Sequence, residues 1–239
     1  MIDLECPLPE IVLDGLSGPE SVLAHTAKVD SDRWQDGIRG RGLPAPEGKL
    51  ASGGWIRLSR KEVFDLGGQA PSKSAVFQLL YHSLAWGLGP KAPRMHARLD
   101  GLARDPGMAR DLLLHAWEEI RAGESPSSVY RVLVSQRGFA RIPWFGPAFA
   151  TKFMYFAQGS AVTPRCLILD SRVAGKLRVT AWPDARLDGW VARDYEAYCE
   201  LLQRWAAEAT SLGSAVIPVR ADAIEYELFK PEPEDEVSR

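Results

Sequence analysis

The sequence predicts an all-α fold of eight or more helices, with strands minor or absent, and three observations carry that prediction. Apolar residues recur at three- and four-residue spacings through most of the chain, which is the pattern of amphipathic helices. Start and stop signals bracket these runs: Ser59 with Glu62, Asp105-Pro106, Ser125-Pro126 and Gly146-Pro147 read as openings, Gly67 and Gly87 as closings. The two-residue alternation that a strand needs is scarce, with 214–219 the one clear run.

Taken in order, residues 1–30 are rich in proline and glycine, hold one short expected helix near Glu20 to Ala27, and read as a wrapping N-terminal arm or a partly ordered leader. Residues 32–54 have many glycines and few apolar side chains, so they read as a loop carrying Trp34 and the arginines of GIRGRG, Arg39 and Arg41. Glycine-rich backbone beside arginine suits close approach to phosphate, and equally an ordinary surface loop, since no P-loop signature is present. Ser59 and Glu62 form a capping box that opens a helix closed by Gly67, with Val63, Phe64 and Leu66 inward. A second helix, Lys73 to about Trp86, carries Val76, Leu79, Leu80, Ser83 and Trp86 on one face. His82 has no partner residue at i+3 or i+4 and reads as a surface or hydrogen-bonded histidine.

A short, basic, proline-punctuated loop is expected over 90–98. Asp105-Pro106 then starts a helix with Leu112, Leu113, Ala116, Trp117 and Ile120 toward the core, and His115 on it is read as His82 is. Ser125-Pro126 opens a helix through Val129, Tyr130, Leu133 and Val134. Further on, a short helix over 172–178 precedes a long amphipathic one marked by Val191, Tyr195, Tyr198, Leu201, Leu202, Trp205 and Ala209. Asp222, with Glu225 three residues later, reads as the cap of a last helix from Ile224 to Phe229.

The stretch 141–173 organises the rest. Gly146-Pro147 opens a helix to about Gln158, because proline at the first helical position gives up an amide that would lack a partner anyway. Phe149, Phe153, Phe156 and Ala157 share one face, and Lys152 is the one charge on a very apolar helix. Asp170 follows the apolar run Cys166-Leu167-Ile168-Leu169 and directly precedes the next helix, a position that suits a helix N-cap, a reactive carboxylate, or both.

The runs GPAFATKFMYF and LILDSRVA resemble the helix-hairpin-helix DNA glycosylase superfamily, in particular the bacterial group with an 8-oxoguanine-glycosylase-like fold. Shorter likenesses are Trp34 with GIRGRG, LSRKEVFDL, AWGLG, the Tyr195 to Trp205 helix and DAIEYELF. The resemblance implies two helical lobes with the active site between them, over a domain spanning 31–230, with the hairpin at 141–158 and the catalytic aspartate region at 165–178. It implies that Asp170 is catalytic. In strand-nicking members, a lysine on the second hairpin helix attacks the sugar. Aligning the hairpin glycines puts Ala148 at that position, with Lys152 one turn later, about 6 Å further along. Lys152 is therefore the nucleophile in a shifted frame, a partner for Asp170, or a phosphate contact.

The same resemblance implies DNA contacts from the hairpin turn, at Trp144, Phe145, Gly146 and Ala148, and from Arg39, Arg41, Arg94, Arg141 and Arg172. Trp144 stands where the superfamily has a small residue, so it either packs on the core or contacts a sugar. Trp34, Trp86 and Phe229 are the base-pocket candidates. The implied partner is double-stranded DNA with a damaged or modified base, bound by a monomer. No cofactor is required by the resemblance, a monovalent cation at the hairpin is compatible with it, and no iron–sulfur cluster is expected.

Composition agrees with a helical DNA-binding domain in some respects and strains it in others. Hydrophobic content of 46% over 239 residues is ample for a core. With no membrane-length apolar run and no signal-peptide pattern, a cytoplasmic protein is expected. Three scattered cysteines, Cys6, Cys166 and Cys199, offer neither a disulfide framework nor metal-ligand spacing. The net charge of −2 is unfavourable for DNA binding, but the acidic tail 231–239, expected to be disordered, contributes −3 of it. Basic residues cluster elsewhere without acids among them: Arg131, Arg137, Arg141 and Lys152, and Lys91, Arg94 and Arg98. Local positive potential is what attracts phosphate.

Breaking an N-glycosidic bond builds positive charge on the sugar, so a carboxylate in a desolvated site stabilises the transition state. The expected function is a DNA glycosylase acting on a flipped base: 8-oxoguanine by resemblance, or a hypermodified pyrimidine of phage DNA in a defence role. A non-catalytic helix-hairpin-helix DNA-binding module and a helical interaction protein are the alternatives.

Overall fold

The computed structural model describes residues 1–159, 163–212 and 218–230. Most of the alternating run 214–219 and all of the acidic tail 231–239 lie outside the described residues. In chain order the elements are α1 (Glu10–Asp14), α2 (Pro19–Ala24), β1 (Thr26–Asp30), α3 (Ser31–Arg39), β2 (Trp55–Ser59), α4 (Arg60–Gly67), α5 (Ala75–Leu88), α6 (Met95–Ala103) and α7 (Pro106–Ala122). They continue with α8 (Pro126–Leu133), α9 (Pro147–Ala157), α10 (Ser171–Leu177), α11 (Ala192–Leu212) and α12 (Ala221–Phe229). The fold is thus mostly helical, as the periodicity predicts.

Among the described residues the one sheet pairs β1 and β2 antiparallel, with Ala27 opposite Leu58 and Val29 opposite Ile56. Val29 and Leu58 are buried, while Lys28 and Arg57 face out. Each strand is only five residues long, too short for its alternation to stand out in sequence. The N-terminal segment before them is tied to the body: the Cys6 carbonyl accepts from Trp205 Nε1 at 2.9 Å, and Glu5 pairs with Arg204 at 2.6 Å. Asp30 is the N-cap of α3, its carboxylate accepting from the Arg33 amide at 3.2 Å.

Helix α9 is central. It packs against α4, α5, α7 and α8, and every residue from Ala150 to Ala157 is buried. Phe153, Met154 and Phe156 are fully enclosed, worth roughly 1.5–3 kcal/mol each as apolar burial. Helix α4 approaches so closely that a Cβ on Gly67 would lie 1.8 Å from the Phe156 carbonyl oxygen. The capping box of α4 forms as its sequence requires, Ser59 accepting from the Glu62 amide while the Glu62 carboxylate accepts from Ser59.

Three segments depart from the sequence reading. Residues 32–39 are helical, not a loop, and Gly37 is there because Leu99 and Met95 pack on it, each 3.0 Å from where a Cβ would lie. Residues 95–98 begin α6; Pro90 and Pro93 mask its start, which has Arg94 in the left-handed conformation at its N-cap. Asp222 does not cap α12. That helix starts at Ala221 with no side-chain cap, and Asp222 and Glu225 are instead fully buried acceptors. Tyr155 Oη donates to Asp222 at 2.8 Å, Arg220 pairs with Asp222 at 2.7 Å, and Arg60 pairs with Glu225 at 2.7 Å. Buried charges need such partners, and this demand overrides the surface-cap role.

Candidate active site

Helix α9 and the start of α10 bring the two singled-out charges together. Lys152 Nζ donates to Asp170 Oδ2 at 2.9 Å, and both side chains are largely buried. Asp170 is the N-cap of α10: its Oδ1 accepts from the amides of Arg172 at 3.1 Å and Val173 at 3.3 Å. The loop before it is held by α9 and α11. Thr151 Oγ1 donates to the Leu169 carbonyl at 3.1 Å, and Tyr198 Oη to that of Ile168 at 2.6 Å. Burial pushes the Asp170 carboxyl up, but the Lys152 charge and hydrogen bond and the two amides outweigh it and hold it below the usual carboxylate range. Asp170 is therefore ionised at neutral pH.

Two grooves meet at Lys152. One, of about 640 Å3, is lined by Pro93, Arg94, Arg98, Trp144, Gly146, Ala148, Phe149, Asp170 and Ser171, among others. The second, of about 510 Å3, is lined by His25, Trp86, Pro90, Lys91, Arg172 and Phe229, among others. Gly87, Leu88, Pro93 and Lys152 belong to both. Gly87 is what lets the lysine stem lie against α5, since a Cβ there would sit 2.7 Å from Lys152 Cδ.

The first groove sets Arg94, Arg98 and Lys152 against Asp170 and Asp188 among apolar side chains. Arg98 stacks over Phe149 with 4.1 Å from guanidinium carbon to ring centre, and donates to the Pro93 carbonyl at 2.7 Å. Its Nε is buried without a partner. Burial and then the neighbouring Arg94 charge bring Arg98 down to about 10, so it remains cationic at neutral pH. The amide-bearing first turn of α9 opens on the same groove at Gly146 and Ala148.

Of the expected DNA contacts, Arg94, Trp144, Gly146 and Ala148 line the first groove and Arg172 lines the second. Trp144 is 55% exposed, so it does not pack on the core; its φ of 64° is the left-handed conformation that favours glycine, and Arg94 lies 5.9 Å over its ring. The turn that carries it is pinned by α6, where a Cβ on Gly101 would meet the Pro143 carbonyl oxygen at 2.0 Å. The link from α8 is longer than a tight turn: residues 134–146 include a bridge between Val134 and Ala140.

The other expected DNA contacts, and Trp34, lie away from the two grooves. Phe145 is 2% exposed and its amide donates to the Ile142 carbonyl, so it anchors the turn to the core. Trp34 is 1% exposed inside the core and offers no face to a base. Arg41 is consumed in tying α3 to α6, donating to Asp100 at 2.7 Å and to the Gly37 carbonyl at 2.9 Å. Arg39 pairs with Asp36 on the surface beside a separate pocket, and Arg141 donates to the Arg131 carbonyl; neither lines the two grooves.

Trp86 and Phe229 do line the second groove. Arg172 lies 5.2 Å over the Phe229 ring, and the buried Arg60 lies 5.0 Å from the Trp86 ring. His82 is buried with Nδ1 on the Gln78 carbonyl at 2.7 Å, the hydrogen-bonded alternative, and His115 is exposed beside Glu119 at 3.4 Å. Two site residues escape sequence reading, His25 and Gly87. No motif marks His25, and Gly87, expected only as a helix-closing glycine, lies inside α5; packing between distant segments brings both to the groove that holds Lys152. Among the described residues no three His, Cys, Asp or Glu side chains are grouped as metal ligands, and the three cysteines are free. No described helix is long and apolar enough to cross a membrane.

Comparison with known families matches residues 20–229 to the family described as "Putative 8-oxoguanine DNA glycosylase OGG-like protein". No curated protein and no solved structure matches the chain. The matched span contains every residue that lines the two grooves. Since the match runs from the first turn of α2 to the end of α12, the chain belongs to this OGG-like family of 8-oxoguanine DNA glycosylase relatives.

Proposed function

We propose that the protein is a DNA N-glycosylase that acts on a base rotated out of the duplex. The observation that carries this reading is the buried Lys152–Asp170 pair at the junction of a groove that holds Arg94 and Arg98 and one that holds Trp86 and Phe229. A nucleotide laid across that junction puts its sugar at the pair, its base in the groove lined by Trp86 and Phe229, and its phosphates beside Arg94, Arg98 and the first turn of α9. An ionised carboxylate there favours the positive charge that develops on the sugar as the base leaves.

In the chemistry we assign, Lys152 gives a proton to Asp170, and the neutral amine bonds to C1′ as the C1′–N bond breaks. The electron pair of that bond departs with the base, which takes the proton from Asp170, and the carboxylate so restored faces the positive charge on the sugar. Helix and arginine contacts to phosphate carry no sequence information, so selection falls to the base groove. One feature favours a second reading of the lysine: Asp170 is held well ionised by Lys152, which suits a purely electrostatic pair with water as nucleophile.

The test is release of free base from a panel of duplexes carrying 8-oxoguanine, other oxidised bases or hypermodified pyrimidines, with Asp170→Asn as control. Release by the wild type and a loss of about a hundred-fold or more in the variant are expected. A wild type that binds these duplexes and frees no base from any of them leaves a non-catalytic DNA-binding module as the function. Borohydride trapping of an active substrate decides the nucleophile: a covalent complex identifies Lys152, and active turnover with no complex identifies water.

A further inference from the structure

One ring in the aromatic groove has hydrogen-bonding capacity that the protein does not use. His25 follows α2 as its C-cap, and its carbonyl is held twice, by the Arg60 amide at 2.9 Å and by Trp86 Nε1 at 3.4 Å. That backbone is therefore fixed to the first turn of α4 and to the end of α5. The imidazole is fixed as well, between Trp86 at 5.3 Å, Tyr226 at 5.0 Å and Phe229 at 6.1 Å between ring centres. Yet Nδ1 is enclosed with no partner. Leaving a buried polar atom unpaired is costly, and a group kept so in a folded protein calls for an explanation.

The surroundings select the form of the ring. Burial, and then the Arg60 charge, lower its pKa to about 4, so it is neutral at physiological pH. A neutral imidazole has one N–H and one lone pair. An orphaned N–H is the rarer of the two in protein interiors, so the enclosed Nδ1 keeps the lone pair and Nε2 carries the proton. His25 lines the groove that also holds Trp86, Phe229 and Lys152, which leaves Nε2–H as the donor available there.

We propose that His25 is the specificity-determining residue of the base groove, donating through Nε2–H to an edge acceptor of the extruded base. The favoured substrates are then bases that present a carbonyl oxygen or an unprotonated ring nitrogen at that edge, and a base presenting an amino group there is disfavoured because it sets donor against donor. This rests on the glycosylase reading above and adds to it the group that reads the base.

The experiment compares wild type, His25→Phe, which keeps an aromatic ring without a donor, and His25→Gln, which keeps a donor. Single-turnover release is measured on duplexes carrying 8-oxoguanine, 8-oxoadenine or another base from the panel, alongside affinity for a duplex with the tetrahydrofuran abasic analogue, which has sugar and phosphates but no base. Expected are a fall of roughly ten-fold or more for the best substrate in the Phe variant, partial recovery in the Gln variant, and abasic-duplex affinity within about two-fold of wild type. Release at the wild-type rate by His25→Phe overturns the proposal, as does an equal loss of abasic-duplex affinity, which would make His25 a packing residue. If the Phe variant does not fold, the Gln variant decides by its relative rates on 8-oxoguanine and 8-oxoadenine: a changed ratio supports the proposal and an unchanged one overturns it. A wild type that releases no base from any duplex removes the glycosylase reading and this inference together, whereas an active wild type with an indifferent His25 removes the inference alone.

Discussion

Asp170 serves two structures with its two carboxylate oxygens: Oδ2 accepts from Lys152 at 2.9 Å, while Oδ1 caps α10 through the amides of Arg172 and Val173. The reactive geometry and the fold are therefore separable by substitution. Asparagine caps helices about as well as aspartate, whereas alanine does not, at a cost of about 1 kcal/mol. Asp170→Ala should melt below Asp170→Asn by roughly that amount in calorimetry, while both lose base release to a similar extent. Equal melting temperatures would argue that the cap contributes little here.

Gly87 offers a second separation. Alanine gains up to about 1 kcal/mol of helix propensity over glycine in a helix interior, but its Cβ would push on Lys152 Cδ, now 2.7 Å from that point. Lys152 is flexible enough to move away, so Gly87→Ala should change the melting temperature little and lower the rate of base release by about ten-fold or more. Unchanged single-turnover rates would show that Lys152 need not occupy its present place.

Arg60 and Glu225 are both fully buried and paired at 2.7 Å beneath the aromatic groove. Removing one member of such a pair leaves an uncompensated charge, typically 3–5 kcal/mol. Glu225→Ala should therefore lower stability by about that much in denaturant unfolding, and Arg60→Met with Glu225→Leu together should recover a good part of it. A single-variant loss under about 1 kcal/mol would contradict the buried-charge account.

His25 links stability to pH. Its folded value of about 4 lies below the ordinary histidine value near 6.5, so the unfolded chain takes up the proton first. The stabilisation is complete above about pH 6.5 and is lost as pH falls toward 4. Melting temperatures measured between pH 7 and pH 4.5 should fall less steeply for His25→Phe than for wild type, since other acids titrate alike in both. Parallel curves would mean that the ring is not held neutral.

Much of the helical scaffold was legible in the chain because its signals are local. Ser59 with Glu62, Asp105 and Ser125 each satisfy orphaned groups of a helix start within a few residues, Pro147 removes one by lacking an amide, and the structure begins helices at each. Lys152 and Asp170 also stood out locally, as lone charges in apolar runs. Helices α3 and α6 did not, because Gly37 and the prolines around Arg94 read as breakers until the neighbours that need them are known.

What only the tertiary structure decided is which charged and aromatic residues face the grooves and which are spent inside the fold. Trp34, Phe145 and Arg41 look as suitable in sequence as Trp86, Trp144 and Arg94, yet the former are consumed by the core or by an interhelical tie. Asp222 and Glu225 have the spacing of a surface cap and are instead the acceptors for Tyr155 and Arg60, from segments far away in the chain. Conversely His25, which no local pattern marks, lines the groove beside Lys152 because its carbonyl is tied to Trp86 of α5, and Gly87, expected only to close a helix, lies where α5 packs on the Lys152 stem of α9. Caps and periodicity are settled by a few consecutive residues; burial and pairing of a polar group are settled by whatever the whole fold sets against it.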